Sequence, residues 1–224
     1  MTSKNPLRNK RVLLTYGPTW VAIDDVRVLS NISTGQLGKT LALLLRKTGA
    51  QVTVLEGPIT DPLKDKRVRI ISFRFFTELQ KAFTAEIKRG YDIVIHAAAV
   101  SDYRPARVHP GKLSSGLKRF SLDLIPTLKL IDHVKRVCPH AFLVGFRLES
   151  AGRKISQSGE LEKLFTNARC DLIIANQLEN KKYSGYILDR QKKILAKAHS
   201  RAEMARKLIN VIKRTTKNER QRTT

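Results

Sequence analysis

Short apolar runs alternate with stretches of helical period along nearly the whole chain. Residues 11–16, R-V-L-L-T-Y, are bounded by charge on one side and by Gly17-Pro18-Thr19 on the other, which predicts a buried strand ending in a turn. Residues 20–29 read as a connection, and 35–48 as a helix with leucines at 37, 41, 44 and 45, closed by Gly49. Strands follow at 51–55, 68–72 and 91–96, with a helix at 76–89 stopped by Gly90. After the small residues Ala97, Ala98 and Ala99, residues 101–117 hold two prolines and two glycines and read as a functional loop or flap. The pattern then predicts a strand at 120–124, a helix opened by Pro126 and running to 137, a strand at 141–146 and a helix at 155–168. A strand at 171–175 ending in Asn176, a hairpin of 186–189 with 193–195, and an amphipathic helix at 201–213 complete the reading. Such alternation implies an α/β fold of Rossmann-like type, a mostly parallel sheet with helices on both faces. With no internal repeat or linker, residues 1–214 read as one domain and 215–224 as a basic, disordered tail.

Composition adds one unusual feature. The chain has 224 residues, 42% hydrophobic and 28% charged, values of a globular protein. Its 43 Lys+Arg against 19 Asp+Glu give a net charge of +24 and a pI near 10.5, which favours anionic partners. The basic residues are spread from Lys4 to Arg222, with no basic helix interleaved with aromatics, so a basic surface outweighs nucleic-acid binding as an explanation. No apolar run suits a signal peptide or a membrane span, and the expected location is the cytoplasm. Cys138 and Cys170 have no metal-ligand spacing and read as two thiols.

Chemistry concentrates around residues 26–38, V-R-V-L-S-N-I-S-T-G-Q-L-G. Small hydroxyl and glycine residues ahead of a helix leave N–H groups unpaired at its positive end, where a phosphate can accept them. An ordinary capped helix explains the same letters. Asp24 and Asp25 could hold a divalent ion or simply cap a turn, and His96, ending a strand, is more often structural than a base. Glu56 lies about twenty residues beyond the glycine loop, where a nicotinamide-dependent reductase would bind ribose. Against that reading, 17–29 separates the glycines from the first strand, and Tyr103 is followed four residues later by Arg107, not lysine.

Six blocks then occur in one order: T-Y-G-P-T, D-x-V-R-x-x-S-N-x-S-T-G-x-x-G, H-A-A-A-V-S-D-Y-R-P, G-K-L-S-S, V-G-F-R-L-E and D-L-I-I-A-N. Over about residues 11–195 the chain resembles phosphopantothenoylcysteine synthetase, the ligase of coenzyme A biosynthesis, in a monofunctional form without the flavin-dependent decarboxylase domain. The resemblance implies that 4′-phosphopantothenate attacks the α-phosphate of a nucleoside triphosphate, releasing pyrophosphate. Cysteine then captures the acyl-nucleotidylate. It implies Mg²⁺ as cofactor, CTP or ATP as co-substrate with CTP favoured, and a homodimer joined through a small β extension built from 120–124 and the late hairpin.

By the same resemblance, Gly17, Ser33, Thr34, Gly35 and Gly38 hold phosphates, with Pro18 and Thr19 in the first turn beside them. Asn31 stabilises the acyl-nucleotidylate, supported by Arg27, while Ala98, Ala99 and Asp102 line the nucleotide site. Lys112 reaches the phosphates from the flap and Lys163 from a later helix; Ile125, Pro126, Thr127, Leu128 and Phe146 contact base and ribose. Asn31, Ala99 and Asn176 are the substrate contacts, and no residue is assigned as a metal ligand. Departures from the family pattern stand at Gln36, Ser114, Ser115 and Asn167, where relatives carry lysines.

Overall fold

The computed structural model describes residues 5–149, 159–179 and 182–222. Its centre is an eight-stranded sheet in the order β5-β4-β1-β6-β9-β10-β11-β12. The central strands are β1 (Arg11–Tyr16), β4 (Gln51–Glu56) and β6 (Ile93–His96), with β5 (Arg69–Ser72) at one edge. On the other side lie β9 (Phe142–Glu149), β10 (Leu172–Glu179), β11 (Lys182–Asp189) and β12 (Ile194–Ala198). Pairing is parallel from β5 across to β10, while β11 pairs antiparallel with both its neighbours. The mostly parallel α/β architecture is therefore the one expected.

Alternation within each strand divides the core into two layers. Val12, Leu14 and Tyr16 of β1 face α1 (Gln36–Lys47) and α5 (Arg201–Arg222), together with Leu41, Leu45 and Leu208. Leu13 faces the opposite layer of α2 (Phe76–Ile87), α3 (Val134–Val137) and α4 (Gly159–Thr166), with Phe83, Val134 and Leu161. Because both faces are covered, the central strands read as nearly unbroken apolar runs. The chain moves outward from β1 to β5 on one side, then crosses back to β6 on the other. That reversal opens a crevice beyond the carboxyl ends of β1 and β6, where open α/β sheets bind ligands.

Two small sheets rise above this crevice. Within 20–29, read as a connection, β2 (Trp20–Ala22) pairs antiparallel with β3 (Val28–Ser30), and Trp20 packs edge-on to Phe75 at 6.0 Å. In the flap, β7 (Tyr103–Pro105) pairs with β8 (Leu124–Pro126). The strand expected at 120–124 thus starts only at Leu124. Phe120 and Leu124 alternate correctly, but both are exposed, and only Leu124 finds a strand partner, opposite Pro105. Pro126 belongs to β8 and does not open a helix: Thr127 N–H donates to the Asp102 carbonyl and its hydroxyl to Ser101 O, which keeps the chain extended. Only afterwards does a short 3-10 turn (Leu130–His133) lead into α3.

Other boundaries shift as well. The part of the expected 155–168 helix before Gly159 falls outside the described residues. The late hairpin is longer than predicted and continues the main sheet, turning where Asp189 Oδ1 accepts the N–H groups of Gln191 and Lys193. α5 runs past 213 to Arg222, so 215–222, expected as a disordered tail, is helical. This stretch has no proline or glycine to stop the helix, and Thr216 is buried with its hydroxyl on the Ile212 carbonyl.

Gly38 sits where α1 crosses β1, and a Cβ there would lie 2.2 Å from the Tyr16 Cβ. Gly38→Ala is therefore expected to destabilise the fold by about 1–3 kcal/mol, because overpacking outweighs the gain in helix propensity. Thermal unfolding followed by circular dichroism checks this; an unchanged midpoint would contradict the close crossing.

His96 is buried between β6 and α2, its Nδ1 2.8 Å from Thr15 Oγ1 and its ring 5.1 Å from Phe83. Burial pushes the imidazole down to about 4. Between that value and the ordinary one the unfolded chain binds the extra proton, so stability rises with pH from about 4 to about 6.5, by about 3 kcal/mol at most. Denaturation midpoints across this range should show the slope, and His96→Asn should flatten it.

Candidate functional site

The crevice above β1 and β6 is a cleft of about 890 Å³. One wall is the lead-in to α1: Asn31, Ile32, Ser33, Thr34 and Gly35. Gly35 is the N-cap of α1 with a left-handed φ of 67° and contributes no side-chain cap. A Cβ at that position would also meet Ile59 Cγ2 at 2.8 Å. The nearby hydroxyls make only long local contacts, Ser33 Oγ accepting from Gly35 N and Thr34 Oγ1 from Gln36 N, both at 3.4 Å. An anion at the first turn of α1 thus gains backbone donors and the positive end of the helix dipole while displacing little.

Facing this wall are the small residues Ala97, Ala98, Ala99 and Val100 at the end of β6. Asn31 spans the gap, its Nδ2 donating to Val100 O at 2.9 Å and to Ala99 O at 3.4 Å. With its NH₂ held by the floor, the Asn31 carbonyl is the acceptor this amide presents to a guest. Asp102 stands at the cleft edge in a 2.5 Å ion pair with Lys129, and both are more than half exposed, so the pair is worth about 1 kcal/mol or less. The far wall is Phe146 on β9 and Asn176 on β10, with Lys163 and Asn167 above them. The cations Lys129, Arg147, Lys163 and Arg201 outnumber the acids Asp102 and Asp132 along the lining, which suits a polyanion.

The cleft therefore gathers Asn31, Ser33, Thr34, Gly35, Gly38, Ala98, Ala99, Asp102, Thr127, Leu128, Phe146, Lys163 and Asn176 from the expected set. It does not gather Gly17, Pro18 or Thr19. Gly17 has a φ of 86° and passes so close to Gly57 that a Cβ would fall 2.9 Å from the Gly57 Cα. Pro18 bridges to Ala99, and Thr19 is buried with its Oγ1 accepting from Ser101 N, so this turn is a crossing of chains beneath the cleft. Ile125 and Pro126 are exposed on β8, outside the lining, and Lys112 is exposed on the flap.

Arg27 differs from expectation too. Its guanidinium pairs with Asp24 at 2.5 Å and donates to Leu113 O at 3.2 Å, so it holds the flap to the β2–β3 hairpin and does not contact Asn31. Asp24, weighed as an ion ligand, is consumed by the same knot. Burial disfavours its charge, but the N–H groups of Val26, Leu113 and Arg27 and the Arg27 guanidinium outweigh that and hold its carboxyl at about 2. Glu56, weighed as a ribose ligand, is buried and accepts from Tyr16 Oη and Leu63 N, which removes the carboxylate that the reductase reading requires.

Lys129, Tyr183 and Arg201 enter the lining without any signal in the sequence, and Arg147 does so from the V-G-F-R-L-E block, where the resemblance gives it no role. Tyr183 and Arg201 come from β11 and the start of α5, well beyond the last recognised block, and only the sheet order brings them to Asn176.

Comparison with known proteins fits this geometry. A family described as "DNA/pantothenate metabolism flavoprotein C-terminal domain" matches residues 7–215. The coenzyme A biosynthesis bifunctional protein CoaBC of Thermococcus kodakarensis is 35% identical over 175 residues, 77% of this chain and 42% of that protein. Its namesake from Borreliella burgdorferi is 30% identical over 217 residues, 93% of this chain and 54% of that protein, so the chain spans about half the length of these curated relatives. Among solved structures, the DNA/pantothenate metabolism flavoprotein from Streptococcus pneumoniae superposes with a TM-score of 0.80 at 25% identity, covering 92% of this chain and 99% of that one. The chain thus belongs to the family of the DNA/pantothenate metabolism flavoprotein C-terminal domain, of the phosphopantothenoylcysteine synthetase type that its six ordered blocks resemble.

Proposed function

We propose that this chain is a ligase that joins 4′-phosphopantothenate to L-cysteine through an acyl-nucleotidylate. The observation that carries the reading is the pairing, across one cleft, of an α1 N-terminus suited to phosphate with an Asn31 amide pinned to the carbonyls of Ala99 and Val100. In the first step a carboxylate oxygen of phosphopantothenate attacks the α-phosphorus and pyrophosphate leaves. In the second, the cysteine amine attacks the acyl carbon, the nucleoside monophosphate departs, and the nitrogen gives up its proton. Both steps bring anions together, so the need is for orientation and charge neutralisation.

Each wall has a part in this. The first turn of α1 with Ser33 and Thr34 holds phosphate, Lys163 and Lys129 oppose its charge, and Phe146 gives a planar face for the base. Asp102 can exchange Lys129 for ribose hydroxyls at little cost because the pair is exposed. Asn31 stands over the small-residue floor of Ala98 and Ala99, where the acyl group would lie. The described residues contain no group of three His, Cys, Asp or Glu side chains suited to a metal. Magnesium would be carried mainly by the triphosphate oxygens, with Asp102 and Asp132 as the carboxylates that line the cleft, and it would supply charge shielding during pyrophosphate release.

CTP is the expected triphosphate, by resemblance to bacterial relatives. A homodimer is supported by exposed apolar side chains on the hairpin and flap, among them Val26, Leu29, Tyr103, Phe120 and Leu124. Among the described residues no helix is long and apolar enough to cross a membrane, and a cytoplasmic setting suits the proposed substrates.

Incubating the full chain with phosphopantothenate, cysteine, Mg²⁺ and each triphosphate in turn should release pyrophosphate, fastest with CTP; none with any triphosphate would overturn the ligase reading. Asn31→Asp replaces the donor that anchors the amide and puts a negative charge beside the acyl-nucleotidylate. Pyrophosphate release without cysteine should persist while amide formation drops on the order of 100-fold. Equal loss of the two half-reactions would contradict the role given to Asn31.

A further inference from the structure

Asn176 shares the cleft wall with Phe146, and its amide is already engaged by a neighbouring lining residue. Tyr183 Oη donates to Asn176 Oδ1 at 2.6 Å. The contact crosses the β10–β11 ladder, in which Asn176 lies opposite Gly185. Tyr183 and Gly185 are two residues apart on β11 and so share a face. A Cβ at Gly185 would fall 2.7 Å from Tyr183 Oη and 3.0 Å from Asn176 Oδ1. The missing side chain is the space through which the phenol reaches the amide. Arg201, at the start of α5, places its guanidinium 5.4 Å from the centre of the Tyr183 ring and packs the phenol from the other side.

These contacts give the amide a definite polarity. A carboxamide offers one acceptor and one NH₂ group, and a bond at Oδ1 decides which of them remains for a guest. Burial pushes the Tyr183 phenol above its ordinary range, with the Arg201 charge opposing, so the phenol stays a donor at neutral pH. The group left for the cleft is the Asn176 NH₂, on the wall that also carries Phe146.

We infer that Tyr183 is a positioning residue that locks the Asn176 amide with its NH₂ toward the cleft, making the site selective for a planar heterocycle whose edge presents a hydrogen-bond acceptor. The inference rests on the reading of the cleft as a nucleotide site. Cytosine offers acceptors at N3 and O2, whereas uracil replaces the N3 acceptor with an N–H donor, which the locked amide would meet donor to donor. Discrimination of this kind is strong because a mismatched pair leaves buried donors unpaired.

The test compares the full-length wild type with Tyr183→Phe, which keeps the ring under Arg201 and removes only the hydroxyl. Freed from its lock, the Asn176 amide can turn over and present its carbonyl. KM for CTP should rise roughly five- to tenfold, more than kcat changes, and the preference for CTP over UTP should fall by a similar factor. Gly185→Ala crowds the same bond without altering either partner and should move the preference in the same direction. An unchanged CTP-to-UTP ratio in both variants would overturn the inference.

A second readout does not depend on catalysis. In the wild type the two Asn176 side-chain amide protons should give distinct resonances in ¹⁵N-edited spectra, and Tyr183→Phe should shift them. If no triphosphate is turned over by the wild type, the ligase reading fails on its own. The positioning role then stands or falls on whether those resonances move.

Discussion

The contact between Gly38 and Tyr16 sets the geometry on which the rest of the site depends. With no side chain at 38, the first turn of α1 lies directly on the end of β1, so its N-terminus cannot slide or tilt away from the crevice. Tyr16 is itself fixed by the bond from its hydroxyl to the buried Glu56, which also accepts from Leu63 N. One aromatic ring thereby joins α1, β1, β4 and the loop after β4. A helix dipole acts over about a turn, so a shift of even a few ångströms would remove most of its effect on a bound phosphate. The precision of an anion site made from backbone groups thus comes from side-chain packing beneath it.

The cations around that site are of two kinds. Lys163, Lys129 and Arg147 come from elements that follow β6, on the far side of the cleft from α1. Arg201 comes from α5, which packs in the same layer as α1, and it borders Gln36 as well as Tyr183. Arg201, the first residue of α5, and Lys182 of β11 thus put positive charge beside the start of α1. The broad excess of basic residues adds a long-range attraction for polyanions that falls with ionic strength, whereas Lys163, Lys129, Arg147 and Arg201 concentrate positive charge at the cleft itself.

The sequence made the doubly covered sheet legible because its strands are buried on both faces and read as apolar runs. At the α1 approach it left two readings open, because glycine and hydroxyl residues before a helix suit an ordinary cap as well as a phosphate. It misled where apolar period had no core beneath it: Phe120 and Leu124 alternate like a strand although both are exposed. Gly17, expected to hold phosphate, lies outside the cleft lining and against Gly57, forty residues away; in one dimension a glycine that lets two chains cross looks the same as one that admits phosphate. Tyr183 and Arg201 carried no motif at all. Their relation to Asn176 exists only through strand order and register.

The knot at Asp24 links these levels. One carboxylate receives backbone donors from its own hairpin at Val26 and Arg27, a backbone donor from Leu113 in the flap, and the Arg27 guanidinium, which also reaches the Leu113 carbonyl. His109 N–H bonds to Ile23 O, so the flap is stitched to the hairpin at two levels. The same hairpin ends in Ser30, next to Asn31, whose amide grips the carbonyls of Ala99 and Val100. Flap, hairpin and the Asn31 amide therefore form one mechanical unit, anchored to the sheet through β6. A carboxyl held at about 2 keeps its charge throughout the neutral range, so this coupling does not depend on pH where the cleft would work. Arg27, expected by resemblance to support Asn31, instead pairs with Asp24 and reaches the Leu113 carbonyl, which holds the flap to the hairpin that ends beside Asn31.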